Sequence, residues 1–359
     1  MTAPRVVLAH EWLVVYAGSE RVAEALAEAF PGTRLLTTMA DDSRMPAALH
    51  GARTSFLQHV PGAQDHHEWL VPLMPLAWRL LPVPDDVDVV ISSSHACAKG
   101  VRVPEGVPHV CYCHTPMRYA WDFQAERERF PAALRPLARA GMTWFRRWDE
   151  RSARRVTRFV ANSEAVAGRI RSFYGRDADV VHPPVRTEFF TPGGERGDAF
   201  LYVGRLTGYK RPDLVVAAFE GLPYELVVVG GGAALPELRR RAPANVRFVE
   251  RVTDEELRDL YRRSRALVYP VDEDFGIVMA EAQACGTPVI GLARGGARDI
   301  VAPGETGWLV ERQDVEELRA AIRRAAEDEL DPSVIRASAE RFAVERFQAT
   351  MRGIVADTL

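Results

Sequence analysis

The sequence predicts two consecutive α/β domains built on parallel sheets. Short apolar runs alternate with helical stretches along most of the chain, which is the pattern of repeated strand–helix units. A turn-rich stretch without periodicity, residues 187–198, interrupts that alternation just after Pro183-Pro184. The length of 359 residues is too great for one ordinary core and suits two domains of about 100–200 residues each.

In chain order, RVVLAH (5–10) reads as a buried strand and Ser19–Phe30 as an amphipathic helix stopped by Pro31-Gly32. VDVVISSS (87–94), HVCYCH (109–114) and RFVANS (158–163) follow as further buried strands. These form a first domain over 1–186, closed by the linker 187–198. A second domain over 199–331 carries strands in AFLYVGRL (199–206), YELVVVGGG, VRFVE, ALVYP and PVIGL. Pro212 fits the first turn of a helix, and Asp314 with Glu317 has capping-box spacing ahead of another. A helical segment over 332–359 ends the chain with no strand after it.

Composition limits the classes of function. Hydrophobic residues at 47% and charged residues at 26% fit a soluble globular protein and exclude a disordered, collagen-like or multi-span chain. No run approaches 18 uninterrupted apolar residues, and the first residues lead straight into a strand, so neither a spanning helix nor a secretion signal is expected. A net charge of −3 argues against a nucleic-acid partner. Only Lys99 and Lys210 among the 46 basic residues are lysines, so each invites the question of what an arginine could not do there. The four cysteines form no zinc framework, because Cys111-x-Cys113 has no second pair. Alternation puts those two thiols on one face of a strand, and buried free thiols in a reducing cytoplasm are expected. Two segments stand apart: residues 69–84, rich in Trp, Pro and Leu, and residues 135–158, with eight arginines around Trp144, Phe145 and Trp148. The second reads as an arginine-bearing helix with its aromatic stripe in the core, or else as a membrane-surface helix.

Chemistry concentrates in the second half. Gly230-Gly231-Gly232 follows a strand, but position 235 is Leu and no G-x-G-x-x-G opens either half, which disfavours a nicotinamide or flavin enzyme. A tight phosphate-facing turn remains open there. Asp-x-Asp at 86–88, 177–179 and 272–274, and His66-His67-Glu68, lack the partners a metal needs; neither metal nor cofactor is expected. In LYVGRLTGYKRPD, Arg205 lies at the carboxyl end of a strand and Lys210 at the start of a helix, where the dipole favours an anion. Two cations there would neutralise a diphosphate, with the lysine head in a solvated cleft. In ALVYPVDEDFGIVMAEAQACGTPVI (266–290), a loop carries Glu273 and a short helix carries Glu281, eight positions on. The pair suits an elongated ligand with one carboxylate at each end. The loop Asp274-Phe275-Gly276-Ile277 would aim backbone N–H groups at hydroxyls or phosphate.

That stretch resembles the Glu-x(7)-Glu signature of retaining glycosyltransferases of family 4. The likeness extends in order through AGSERVAEAL, SSSHACAKGV, YCHTPMRYAWD, ANSEAVAGRIRSFYG, VVHPPVRTEFF, VGRLTGYKRPD and RVTDEELRDLYRRSRALVYP. The resemblance implies the GT-B fold, two Rossmann-like domains facing across a cleft, with the final helix crossing back to the first. It implies a metal-independent, retaining hexosyltransferase that takes a nucleotide sugar, GDP-mannose by preference, and serves a glycan or lipid-linked acceptor bound by the first domain. Arg205 and Lys210 would hold the diphosphate, Glu273 and the backbone of 274–277 the donor sugar, and Glu281 the ribose. Arg251-Val252 would flank the base, and His114 would stand near the reacting centre. Gly18 would approach phosphate or acceptor, although Ala17 replaces the first glycine of the family's Gly-Gly-x-Glu loop. YCHTPMRYAWD looks most like members acting in surface-polysaccharide synthesis. A cytoplasmic site of action follows, with peripheral contact at the inner membrane face; oligomeric state is open. The rival readings are a sugar-nucleotide epimerase or hydrolase on the same fold, and a non-catalytic nucleotide-sugar sensor.

Overall fold

A computed structural model describes residues 3–121 and 135–359. The chain divides into two compact units, Met1–Pro184 with Phe347–Leu359, and Val185–Arg346. Asp122, the last residue of YCHTPMRYAWD, lies outside the described residues.

The first unit is built on seven parallel strands: β1 (Val6–His10), β2 (Arg34–Thr37), β3 (Arg53–Thr54), β4 (Val89–Ser94), β5 (His109–Cys113), β6 (Arg158–Ala161) and β7 (Ala178–Val180). Their order across the sheet is β3-β2-β1-β4-β5-β6-β7. Strands β1, β4 and β5 are buried along their whole length, as expected of central parallel strands covered on both faces, and this is why they read as unbroken apolar runs. The strands β2, β3 and β7 escaped the sequence reading because RLLT, RT and ADV are too short to show a period. The chain winds outward from β1 one way and from β4 the other. The carboxyl ends of these two neighbours therefore form a topological switch point, where α/β sheets bind ligands.

Several singled-out residues have structural explanations here. Asp86 and Asp88 pair with Arg34 and Arg5, each at 2.7 Å, at the solvated sheet end. Cys111 and Cys113 are buried free thiols on the same apolar cluster as Phe159 and Ile170. In the helix Arg135–Ala153, Phe145 and Trp148 pack against the core while Trp144 is 53% exposed, so only part of the aromatic stripe is inward. Lys99 is fully buried in an ion pair with Asp149, whose carboxylate also accepts from Trp121 Nε1 (2.8 Å) and the Tyr174 hydroxyl (2.6 Å). A compact ammonium fits that enclosure where a guanidinium fork would not.

The second unit has six parallel strands: β8 (Phe200–Val203), β9 (Leu226–Val229), β10 (Val246–Val249), β11 (Leu267–Tyr269), β12 (Val289–Leu292) and β13 (Gly307–Val310). They are ordered β10-β9-β8-β11-β12-β13, with the switch point between β8 and β11. Residues 187–198, expected to be a linker, pack within this unit: Phe190 is wholly buried in its core and Arg262 Nε donates to the Thr191 carbonyl at 2.7 Å. Asp314 caps the helix Val315–Glu327 by accepting from the N–H groups of Glu316 and Glu317 (3.1 and 3.0 Å). Glu317 turns instead to the Glu311 N–H, so the capping box is half formed. The terminal segment is broken into Pro332–Ala339, a short turn and Val344–Thr358. Phe347 of the last helix packs on Tyr112 of the first unit's sheet, ring centroids 5.6 Å apart. Among the described residues no helix is long and apolar enough to cross a membrane.

Candidate active site

In the second unit the switch point gathers the predicted charges. β8 ends at Val203 and is followed by exposed Arg205 and a tight turn over Gly208–Lys210; the helix proper is Pro212–Ala218, with the proline at its first position. Lys210 thus lies before the helix rather than in its first turn. Arg211 between them has φ 50°, the only positive value among described non-glycine residues, and a guanidinium chelated by Asp213 and bonded to Gln313 holds it there. Such backbone strain concentrates at functional sites.

The bend swings Lys210 back toward β11. Its Nζ lies 2.7 Å from Glu273 Oε1 and donates to the Tyr269 hydroxyl at 3.1 Å, with Lys210 14% and Glu273 18% exposed. The expectation of a solvated lysine head is therefore corrected: loop geometry after two neighbouring strands brings Lys210 and Glu273 into a shielded pair. Burial, and then the charge of Glu273, push the Tyr269 phenol well above its ordinary pKa, so it stays a neutral hydroxyl. Arg205 remains in water; its guanidinium reaches the Tyr209 hydroxyl at 3.2 Å. The Glu273 carbonyl accepts from the Gly296 N–H (2.9 Å), a support no motif had pointed to.

The helix Ile277–Ala284 opens at Gly276 with no side-chain cap, and within its first turn the Met279 N–H donates to the Gly276 carbonyl at 2.9 Å. Gly276 has φ +87°, a left-handed backbone that strains any side chain, and a Cβ there would stand 2.4 Å from the flexible end of Met279, which would have to shift. Asp274 is partly buried and Phe275 almost fully so. Glu281 is 3% exposed and accepts from the Tyr261 hydroxyl at 3.1 Å. Arg251 is exposed and Val252 half-buried after the edge strand β10, two strands from the switch point. The glycines after β9 have a steric reason: a Cβ on Gly230 would meet the Gly204 carbonyl at 2.0 Å, so the turn lies against the backbone that leads into Arg205.

In the first unit, the ends of β1, β4 and β5 assemble titratable groups of which only His114 was foreseen. His114 Nε2 lies 2.8 Å from Ser93 Oγ, and burial together with the neighbouring His95 and His10 rings lowers its pKa well below the usual value. Buried Glu11 accepts from the Ser94 hydroxyl (3.0 Å) and from the N–H groups of His95, Ala96 and Ala98 (3.2, 2.8 and 2.8 Å), tying the loop after β4 to β1. Burial opposes its ionisation, but the electrostatic pull of the His95 ring and the backbone N–H groups of Ala98, Ala96 and Cys97 outweigh it and hold its pKa low. Gly18 stands at the exposed start of the helix Gly18–Ala29, with open space where a Cβ would go. His10, Glu11, Glu20, Ser93 and His95 were missed as chemistry-bearing; their signal was position, at strand ends flanking the switch point.

Comparison with known proteins agrees with this architecture. Residues 16–189 match the family model Glycosyltransferase Family 4, and residues 187–342 match Glycosyl transferases group 1. D-inositol 3-phosphate glycosyltransferases of Mycolicibacterium smegmatis and Mycobacteroides abscessus are 32% and 33% identical over 55% and 60% of this chain. Those matches span 52% and 53% of the relatives, so the chain covers about half the length of these curated proteins. Among solved structures, Anabaena Alr3699/HepE in complex with UDP and glucose superposes with a TM-score of 0.71 at 16% identity, covering 98% of this chain and 99% of that one. Sucrose-phosphate synthase from Thermosynechococcus elongatus gives 0.71 at 19% identity, covering 99% of each. With the two family models together running from residue 16 to residue 342 and a two-unit doubly wound fold beneath them, the chain belongs to the family 4 glycosyltransferases of GT-B fold.

Proposed function

We propose that the protein is a retaining, metal-independent hexosyltransferase that moves a sugar, mannose from GDP-mannose in the first instance, from a nucleotide donor to a glycan or lipid-linked acceptor. The observation that carries this reading is the Lys210–Glu273 pair beside Arg205 at the β8/β11 switch point. In the proposed mechanism Arg205 and Lys210 bind the diphosphate and stabilise the charge that grows as it leaves. The departing diphosphate takes the acceptor's proton on the same face of the sugar, which preserves the anomeric configuration without a covalent glycosyl-enzyme. Glu273 and the amides of 274–277 orient the sugar, Glu281 serves the ribose, Arg251 and Val252 flank the base, and Gly18 approaches phosphate or acceptor. His114 meets the reacting sugar. The second unit is the donor domain and the first the acceptor domain.

A thermal-shift panel of nucleotide sugars tests this directly, since a ligand at 100 times its Kd adds about 2.7 kcal/mol of stability. The Anabaena neighbour's complexes with UDP and UDP-glucose make uridine donors the necessary counterparts to GDP-mannose in that panel. Glycoside product, rather than isomer or free sugar, separates transfer from epimerisation or hydrolysis; binding without turnover would make the protein a sensor.

Peripheral attachment at the cytoplasmic membrane face belongs to the same proposal. It is supported by Trp69, Leu73, Leu76 and Leu80, which are 83%, 45%, 48% and 61% exposed at helical spacing. Arg79 on the same segment lines a 330 Å³ cavity with Arg102 and Arg155. Co-sedimentation with anionic but not zwitterionic vesicles, lost in Trp69→Ser/Leu73→Ser, is the expected result.

A further inference from the structure

A line of hydrogen bonds runs from the helix Gly18–Ala29 through β1 and β4 to the end of β5. The Glu20 carboxylate accepts from the Ala17 N–H and the Ser19 hydroxyl, both at 3.0 Å, and its Oε1 lies 3.3 Å from His10 Nε2. His10 Nδ1 is 3.1 Å from Ser93 Oγ, and Ser93 Oγ is 2.8 Å from His114 Nε2. Glu20, His10 and Ser93 are buried.

The donor and acceptor rules make this line directional. A carboxylate only accepts, so His10 Nε2 donates to Glu20. In a neutral His10 the other nitrogen then has only a lone pair, and it takes the single proton of the Ser93 hydroxyl. The Ser93 oxygen in turn accepts from His114 Nε2–H, which leaves the lone pair of that ring on Nδ1. An imidazolium at His10 would reverse both links and move the His114 proton to Nδ1. The line drawn here takes His10 in its neutral form, and the tautomer found at His114 tells the two cases apart. Glu20 has two further donors besides His10, and the ring of His95 lies 6.3 Å from His10 and 6.1 Å from His114. Among the described residues, Glu11, tied to the loop after β4, and Tyr112, whose ring is 5.2 Å from His114, are further ionisable groups beside this line.

We propose that Glu20, His10 and Ser93 form a positioning relay that fixes the ring proton of His114 on Nε2 and presents a bare Nδ1 to a ligand hydroxyl. An accepting nitrogen can hold a sugar hydroxyl, or draw its proton, whereas a donating one would compete with it. That consequence rests on the glycosyl-transfer reading; the tautomer does not.

The experiment is two-bond ¹H–¹⁵N correlation NMR on the full chain labelled in its histidine rings, with His114 assigned through His114→Gln. The expected wild-type pattern has Nε2 protonated and Nδ1 unprotonated. His10→Phe should convert His114 to the opposite tautomer or to a mixture. It should also reduce kcat for transfer roughly tenfold to hundredfold while leaving the donor KM within about twofold. Ser93→Ala cuts the line at its centre and should give the same ring signature even if His10→Phe folds poorly. A His114 pattern unchanged in either folded variant, or a wild-type proton on Nδ1, overturns the relay. A chain with the expected tautomers but no transfer from any donor supports the relay and removes the transfer reading.

Discussion

Replacing Lys210 with Met keeps most of the apolar stem and removes the charge facing Glu273. At 2.7 Å and an effective dielectric near 20, the attraction between the two charges is about 6 kcal/mol, most of it offset by the cost of withdrawing both from water. Losing one partner of a fully buried pair costs about 3–5 kcal/mol and of an exposed pair about 0–1. Exposures of 14% and 18% place this pair between those limits, at roughly 1–3 kcal/mol. For a unit of this size that corresponds to a fall in Tm of about 3–10 °C, so the variant should fold at 25 °C but melt measurably earlier. The kinetic effect should be larger. If the ammonium stabilises the leaving diphosphate, its charge matters most in the transition state, and kcat should drop on the order of 100- to 1000-fold by analogy with loss of one oxyanion donor. Lys210→Arg should retain partial activity, because a planar fork restores charge but not the compact fit beside Tyr269. The assay is initial-rate transfer at saturating donor on protein shown to be folded. Turnover near wild type in the Met variant would refute the argument, whatever the change in Tm.

Donor binding and turnover should survive EDTA, since in the proposed mechanism Arg205 and Lys210 neutralise the diphosphate without a metal; activity lost on chelation and restored by magnesium would remove that assignment. Gly276→Ala should cost about 1 kcal/mol or more by thermal denaturation, chiefly through its left-handed backbone, with the Met279 methyl displaced besides, and should weaken donor binding as the loop shifts. The first unit should lose stability in acid through His109, whose pKa is lowered to about 3 by burial, with smaller contributions from Arg155 and Lys99. The unfolded imidazole binds its proton near pH 6.5 and the native one near 3, so the unfolded state gains protons as pH falls through that window. The cost is about 2 kcal/mol at pH 5, and His109→Gln should flatten the slope of Tm against pH between 7 and 5. An unchanged slope would mean that other groups dominate.

Much of the architecture was legible because buried parallel strands advertise themselves. RVVLAH, VDVVISSS and PVIGL are apolar because both faces are covered, and that needs no knowledge of their neighbours. Residue chemistry and spacing by themselves singled out Arg205, Lys210, Glu273 and Gly276, since a cation after a strand and a glycine before a helix carry local meaning. Tertiary structure alone decided what those groups touch. That Lys210 pairs with Glu273, 63 positions later, follows from β8 and β11 being neighbours at the switch point, a fact of sheet order invisible to any local window. The hydrogen bond that Glu281 accepts depends on Tyr261 from another helix, and the burial of Lys99 on Asp149 fifty residues away. The cluster of His10, Ser93 and His114 is the fullest case. Each is an ordinary residue in its own segment, and only the register of three parallel strands brings their ring and hydroxyl atoms within hydrogen-bond reach, because strand pairing joins residues by sheet position rather than by distance along the chain.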